Sequence, residues 1–320
     1  TLLPEVKEAM VRALEEAGNP SSIHEAGRRA KELLERARRQ VAELLNASPD
    51  EMHFTSCGTE SNNWALRGLF AGNRRRGNHI VISAIEHPSV SLVARRLGLE
   101  GADITTLPVD REGFVSPDDL KAALKAETVL VSIMLANGEV GTIEPIRELA
   151  AIAHEHGALF HTDAAAAVGH IPVDVRALGV DALSFAANQF YGPPGAAGLY
   201  ARDGVRILPL LEGGGQEHGG RSGTEALAAI VGMGVAAELA TRDLPQRVER
   251  LGRLRDRLRE GLATRLGPVR FNGSWSLRLP HNLHLCVGGV MSESLVLGLD
   301  QAGIAAGLGS ACNSKAMRPS

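Results

Sequence analysis

The sequence predicts an α/β protein whose mostly parallel sheet is covered by helices on both faces. Three observations carry that expectation. Short apolar runs of strand length alternate with helical patterns through most of the chain. The 320 residues are 44% hydrophobic but only 3% aromatic, and abundant Ala, Gly and Leu suit tight helix–sheet packing. A long helical run over 230–266 then gives way to short strand-like pieces. A chain of this length buries a large core and holds more than one unit.

Taken in order, residues 4–16 show helical apolar spacing (Val6, Met10, Leu14), stopped by Gly18. Residues 19–24 form a loop with helix-capping chemistry, and 30–45 make a basic amphipathic helix ending near Asn46. Ser48-Pro-Asp-Glu51 turns the chain into a short strand, 52–55. Further strands are expected at 79–83, 103–107, 128–133, 158–161 and 181–184, with helical crossovers at 120–124, 146–156 and 173–178. Sheets of this kind bind ligands at the carboxyl ends of their strands. The loops holding Thr59, His87, Asn137, Asp163 and Gln189 fall there. A boundary between about Ala228 and Leu244 divides a large domain, 1–235, from a small one, 236–320.

The net charge of −3 offers no broad basic field for nucleic acid. The Arg-rich run over 247–259 alternates with Glu and Leu at helical spacing and reads as a solvated helix face. No apolar run reaches membrane-spanning length, so the chain reads as soluble and cytoplasmic. Its cysteines, Cys57, Cys286 and Cys312, match no metal spacing. An odd count with no signal peptide argues against a disulfide framework. Cys286, inside an apolar strand, reads as a buried small hydrophobe, and Cys57 as a packing residue.

Two stretches carry the chemistry. Residues 54–63 (Phe-Thr-Ser-Cys-Gly-Thr-Glu-Ser-Asn-Asn) set a strand end against a small-residue loop and a helix start. Backbone N–H groups there favour an anion, and simple capping by Ser56 or Thr59 is the plainer alternative. Residues 184–195 (Ser-Phe-Ala-Ala-Asn-Gln-Phe-Tyr-Gly-Pro-Pro-Gly) read as a buried strand delivering a loop into a tight turn. With Ile85-Glu86-His87, residues 134–141, His161-Thr-Asp-Ala-Ala-Ala166, 213–224 (Gly-Gly-Gly-Gln-Glu-His-Gly-Gly-Arg-Ser-Gly-Thr) and 307–314 (Gly-Leu-Gly-Ser-Ala-Cys-Asn-Ser), the chain resembles the NifS/IscS type cysteine desulfurases. These belong to the class V aminotransferase branch of fold-type I pyridoxal-phosphate enzymes. The motifs keep the family's order over essentially the whole chain.

The resemblance implies a fold-type I architecture, with a large domain around a mostly parallel sheet and a smaller α+β C-terminal domain. It implies pyridoxal 5'-phosphate as cofactor, a homodimer with shared sites, L-cysteine as substrate and a sulfur-acceptor protein as partner. The family reaction gives L-alanine and a persulfide that serves iron–sulfur assembly or another sulfur relay. By the matched motifs Gly58 and Thr59 cradle the phosphate, and Thr224 reaches the partner's phosphate. His87 stacks on the ring and shuttles protons, Asn137 orients, Asp163 keeps the pyridine nitrogen protonated, and Cys312 takes the sulfur. Departures cluster in the same places. Ala166 stands for a glutamine, Ala186 for a phosphate-binding serine, Asn188 for a histidine, Gly138 for an asparagine and Pro194 for a lysine.

The central departure is Gln189, at the position of the lysine that binds the cofactor covalently. A carboxamide is not nucleophilic enough for that bond and cannot abstract the Cα proton. Three readings follow: a desulfurase whose lysine was replaced to trap or empty the site, a non-catalytic paralogue acting as scaffold or persulfide carrier through Cys312, or a protein binding the cofactor non-covalently with His87 as base. Another class V aminotransferase or lyase, and a plain α/β binding protein, are the alternatives outside that branch. Both ends look cut relative to the family, and the C-terminal arginine that binds the substrate carboxylate there has no counterpart here.

Overall fold

The computed structural model describes residues 2–16, 18–266 and 269–309. Helix α1 (Pro4–Leu14) starts with proline at its first position, and α2 (Glu25–Leu45) is capped by His24, which accepts from Gly27 N–H. The α2 stripe Ala30, Leu34, Ala37, Val41 and Leu45 is buried, as a 3.6-residue period requires. Asn46 ends it in the left-handed conformation (φ 53°). Helix α2 thus begins five residues before its apolar stripe, because His24 sets the start.

Strand β1 (Met52–Thr55) leads into α3 (Gly58–Asn73), then β2 (His79–Ser83), α4 (Pro88–Leu99), β3 (Asp103–Leu107), α5 (Pro117–Ala123), β4 (Thr128–Ser132), α6 (Ile146–Glu155), β5 (Leu159–Asp163), α7 (Val175–Leu178), β6 (Ala182–Ala186) and β7 (Ala197–Ala201). The seven strands make one sheet in the order β1-β7-β6-β5-β4-β2-β3. Only β7 runs against its neighbours: it pairs antiparallel with both β6 and β1. The remaining strands therefore point their carboxyl ends to one edge. The expected mostly parallel α/β sheet is what forms.

Side-chain alternation divides the core into two layers. Ile80, Ile82, Leu130, Ala182 and Leu199 face α3 and α4, packing with Trp64, Leu69 and Val93. Their neighbours Val81, Val131, Leu183 and Tyr200 face the layer holding α2, α6 and the first part of α8 (Leu227–Arg265). Two glycines let α8 come close: a Cβ on Gly234 would lie 2.7 Å from the Ala37 backbone, and one on Gly232 would meet Met10. Burial along α8 ends at Ala240, and the helix runs on past Pro245 toward the C-terminal elements. These are the antiparallel pair β8 (Val269–Phe271) and β9 (Leu285–Val287), with α9 (Ser292–Gln301). No helix among the described residues is long and apolar enough to cross a membrane.

Candidate active site

The loop after β6 is built by its backbone. Residues Ala187–Phe190 form a single 3-10 turn with Phe190 buried and Asn188 and Gln189 exposed. Gly192 N–H closes on the Ala187 carbonyl (2.8 Å), and Tyr191 takes φ 68°. Arg247 lies over the Tyr191 ring at 4.9 Å. His170 Nε2 donates to the Gln189 carbonyl (2.7 Å). The side chain at 189 takes no part in these bonds. The chain's lysines are Lys7, Lys31, Lys121, Lys125 and Lys315. Lys315 lies outside the described residues. The other four are exposed on or beside α1, α2 and α5, and Lys125 pairs with Asp103 at the start of β3.

Across the edge from this loop, Asp163 ends β5, 6% exposed. Its Oδ1 accepts from Ala165 N–H (2.9 Å) and its Oδ2 from Asn62 Nδ2 (2.6 Å). Burial pushes the carboxyl above its usual range, against these two bonds, which pull it down. No cationic side chain forms an ion pair with it among the described residues. The same Asn62 Nδ2 donates to Ser89 Oγ (2.8 Å). His87 caps α4: its Nδ1 accepts from Ser89 N–H (3.1 Å) and lies 2.7 Å from Ser89 Oγ.

The anion end of the site is the first turn of α3. Its N-cap, Cys57, is exposed rather than packed as expected, and makes no side-chain bond to the helix N–H groups, which leaves Gly58 and Thr59 without a capping side chain. Ala186 faces this turn: a Cβ on Gly58 would lie 3.6 Å from its methyl. Glu60, in the same turn, accepts from Arg221 Nε (2.7 Å) and Ser56 N–H (2.9 Å). Burial pushes Glu60 up, but Arg221 and Ser56 outweigh it and hold the carboxyl below its ordinary range.

Asn137 spends its amide on the backbone. Its Oδ1 accepts from Glu139 and Val140 N–H (2.9 Å each), and Nδ2 donates to the Ile85 carbonyl (3.2 Å). It holds the turn after β4 in place. Beside it, a Cβ on Gly138 would lie 3.6 Å from the Ala166 methyl, so these two shortened positions face each other. Thr224 is exposed. Cys312 lies outside the described residues. Cys286 corrects the sequence expectation: it is exposed, because in a two-stranded sheet one face of β9 has no covering layer, and Asn272 Nδ2 donates to its sulfur (3.2 Å).

Several groups that shape the site have no role assigned from the sequence. Glu86 is fully enclosed, accepting from Ser83 Oγ (2.5 Å) and Met134 N–H (2.9 Å). Burial pushes its carboxyl up to about 8, although both bonds pull it down; Asp163 and Glu144 add to the rise. Between about 4.5 and about 8 the folded chain therefore binds a proton that the unfolded chain has released. Stability falls as pH rises through that window and levels off above it. Burial likewise raises Glu144, to about 7, so it contributes with the same sign. Glu86→Gln keeps the accepting oxygen and removes the titration. Urea midpoints at pH 5 and pH 8 should differ less in this variant than in the parent protein. Asn62 and Ser89 are within reach of sequence reading. Asn62 lies one helical turn beyond Thr59, and Ser89 follows the capping His87 by two, the spacing of a side-chain cap.

A buried carboxylate at a strand end, an uncapped helix start and the loop after β6 thus lie on one edge of the sheet. The class-V aminotransferase family model matches residues 1–320, and the chain belongs to that family. Within it the chain is of the cysteine desulfurase type. It is 49% identical to the cysteine desulfurase IscS of Dictyoglomus turgidum over 320 residues, 100% of this chain and 81% of that one. The solved structure of a NifS-like protein superposes with a TM-score of 0.92 at 37% identity, covering 95% of this chain and 84% of that one. The structure of SspA in complex with cysteine superposes at 0.86 with 31% identity, covering 100% and 89%.

Enzymes of this family depend on pyridoxal phosphate, and the residues present fit part of that group. The desolvated, unpaired Asp163 suits a protonated pyridine nitrogen, and the start of α3 suits the phosphate. At position 189, where the resemblance implies the lysine of covalent attachment, the chain has glutamine.

Proposed function

We propose that this chain is a cysteine desulfurase-type protein that holds pyridoxal phosphate and L-cysteine without covalent anchoring and turns them over poorly or not at all. The observation that carries this reading is Gln189, exposed on a loop held through the Ala187, Gln189 and Gly192 backbone rather than through its side chain. When bound, the cofactor would supply an electron sink for breaking bonds at the substrate Cα. The chain's own residues do the rest. Asp163 holds the ring nitrogen end by charge, the first turn of α3 holds the phosphate end, and His87 covers the face between them. The methyls of Ala166 and Ala186 offer no hydrogen bond to the ring hydroxyl or the phosphate, which weakens retention further.

The exposure of Thr224 suits a residue that reaches a second copy of the chain. On the same reading Cys312 accepts sulfur as a persulfide and passes it to an acceptor protein. The similarity to SspA, whose structure was solved in complex with cysteine, supports L-cysteine as ligand. The test is equilibrium dialysis of the protein with pyridoxal phosphate, followed by desalting and a visible spectrum, with and without L-cysteine. Saturable binding that is lost on desalting, with no release of alanine, is expected. A visible band that survives desalting would overturn the reading. No binding in dialysis would instead favour a scaffold or persulfide carrier, probed next by loading Cys312 from an active desulfurase.

A further inference from the structure

The contacts of His87 have a direction. Backbone N–H of Ser89 points at Nδ1 (3.1 Å), and an N–H can only donate, so that nitrogen keeps its lone pair and the neutral ring carries its proton on Nε2. Ser89 Oγ, 2.7 Å from the same nitrogen, is free to donate its own hydrogen there because its acceptor side is filled by Asn62 Nδ2 at 2.8 Å. The second hydrogen of that amide goes to Asp163 Oδ2 at 2.6 Å. Asn62 is 1% exposed and its Oδ1 has no hydrogen-bond partner among the described residues. The amide is therefore oriented by its two donated bonds alone.

We infer that Asn62 is a positioning residue that ties Asp163 to His87 through Ser89, and that this chain holds His87 as the Nε2–H tautomer. His87 then offers the site a hydrogen-bond donor and no basic lone pair. To accept a proton at Nε2, the ring would first have to place its own on Nδ1, against the Ser89 N–H. It is thus unsuited to replace the missing lysine as base. That consequence rests on the proposed placement of the cofactor between Asp163 and His87; the tautomer itself does not.

The experiment is side-chain 15N NMR of the histidine-labelled protein without cofactor, at neutral pH, with His87 assigned by the loss of its signals in His87→Gln. An unprotonated, hydrogen-bonded Nδ1 and a protonated Nε2 are expected. A proton on Nδ1, or an even mixture of tautomers, overturns the inference. In Asn62→Ala the Nδ1 signal should shift, because the Ser89 hydroxyl loses the amide that directs its hydrogen to Nδ1, while the control Asn63→Ala leaves it in place. An unchanged Nδ1 signal in a folded Asn62→Ala removes Asn62 from the chain. Should that variant fail to fold, Ser89→Ala makes the same cut, and Ser89→Thr, which keeps the hydroxyl, should restore the parent signal. Because no cofactor is present, failure of pyridoxal phosphate to bind would sink the proposed function and leave this result standing.

Discussion

Gln189→Lys should convert the protein from one that loses pyridoxal phosphate on desalting to one that retains it. The loop is ready for the exchange. Its shape comes from the Gly192–Ala187 bond, the His170 bond to the 189 carbonyl and the Arg247 guanidinium on Tyr191. None of these involves the side chain at 189, which is exposed. A lysine there would regain both covalent attachment and a base at the substrate Cα, and general base catalysis alone is worth about 10²–10⁴-fold. Alanine release from L-cysteine should rise by at least that factor above the parent protein. The measurements are the visible spectrum after desalting and alanine quantified by mass spectrometry. Retention without alanine would place the remaining defect at Ala166 and Ala186, and adding Ala166→Gln and Ala186→Ser should then raise the rate. Failure to retain the cofactor at all would contradict the argument that the cradle is otherwise formed.

Arg38→Met should cost about 3–5 kcal/mol of stability, the range for leaving one partner of a buried ion pair alone. Arg38 donates to both oxygens of Glu217 (2.8 and 2.9 Å) and to the Met52 carbonyl (2.7 Å). Glu217 also accepts from Phe54 N–H (2.8 Å). The side chains are only 3% and 2% exposed. Burial pulls the guanidinium down, yet Glu217 outweighs it and Arg38 stays above its ordinary value. This pair pins the glycine-rich segment to α2 and β1, where Glu217 and His218 adopt positive φ (51° and 58°). Urea unfolding followed by the fluorescence of buried Trp64 would report the loss. Arg38→Met combined with Glu217→Leu should cost less than either change alone, since no unpaired charge then remains. Equal or greater loss in the double variant would mean that packing, not the charge pair, is what the contact supplies.

Much of the architecture is legible in the chain. The strand runs at 79–83 and 103–107 match β2 and β3; β2 is buried throughout, and a strand buried on both faces has few options beyond a short apolar stretch between turns. The reversed strand β7 leaves no such mark, since Ala-Gly-Leu-Tyr-Ala carries no strong period. Its Gly198 is required by the Phe185 ring, which would lie 2.3 Å from an added Cβ. Cys286 departs from its expected burial because an apolar neighbourhood in sequence does not say whether a second layer covers the strand.

At the site, the division follows the range of the forces. Residue types at strand ends are enough to locate Asp163, His87, the start of α3 and the absence of a lysine at 189, since each depends on the chain's local order. The roles of Asn62, Ser89, Glu86 and Arg38 depend on partners 27 to 179 residues away. Such pairs exist only once the sheet has brought its strand ends together, and a side chain's burial and hydrogen-bond direction arise at that point. Tertiary structure alone therefore decided how Asn62 joins Asp163 to Ser89, which carboxyls burial raises and what anchors the glycine-rich segment.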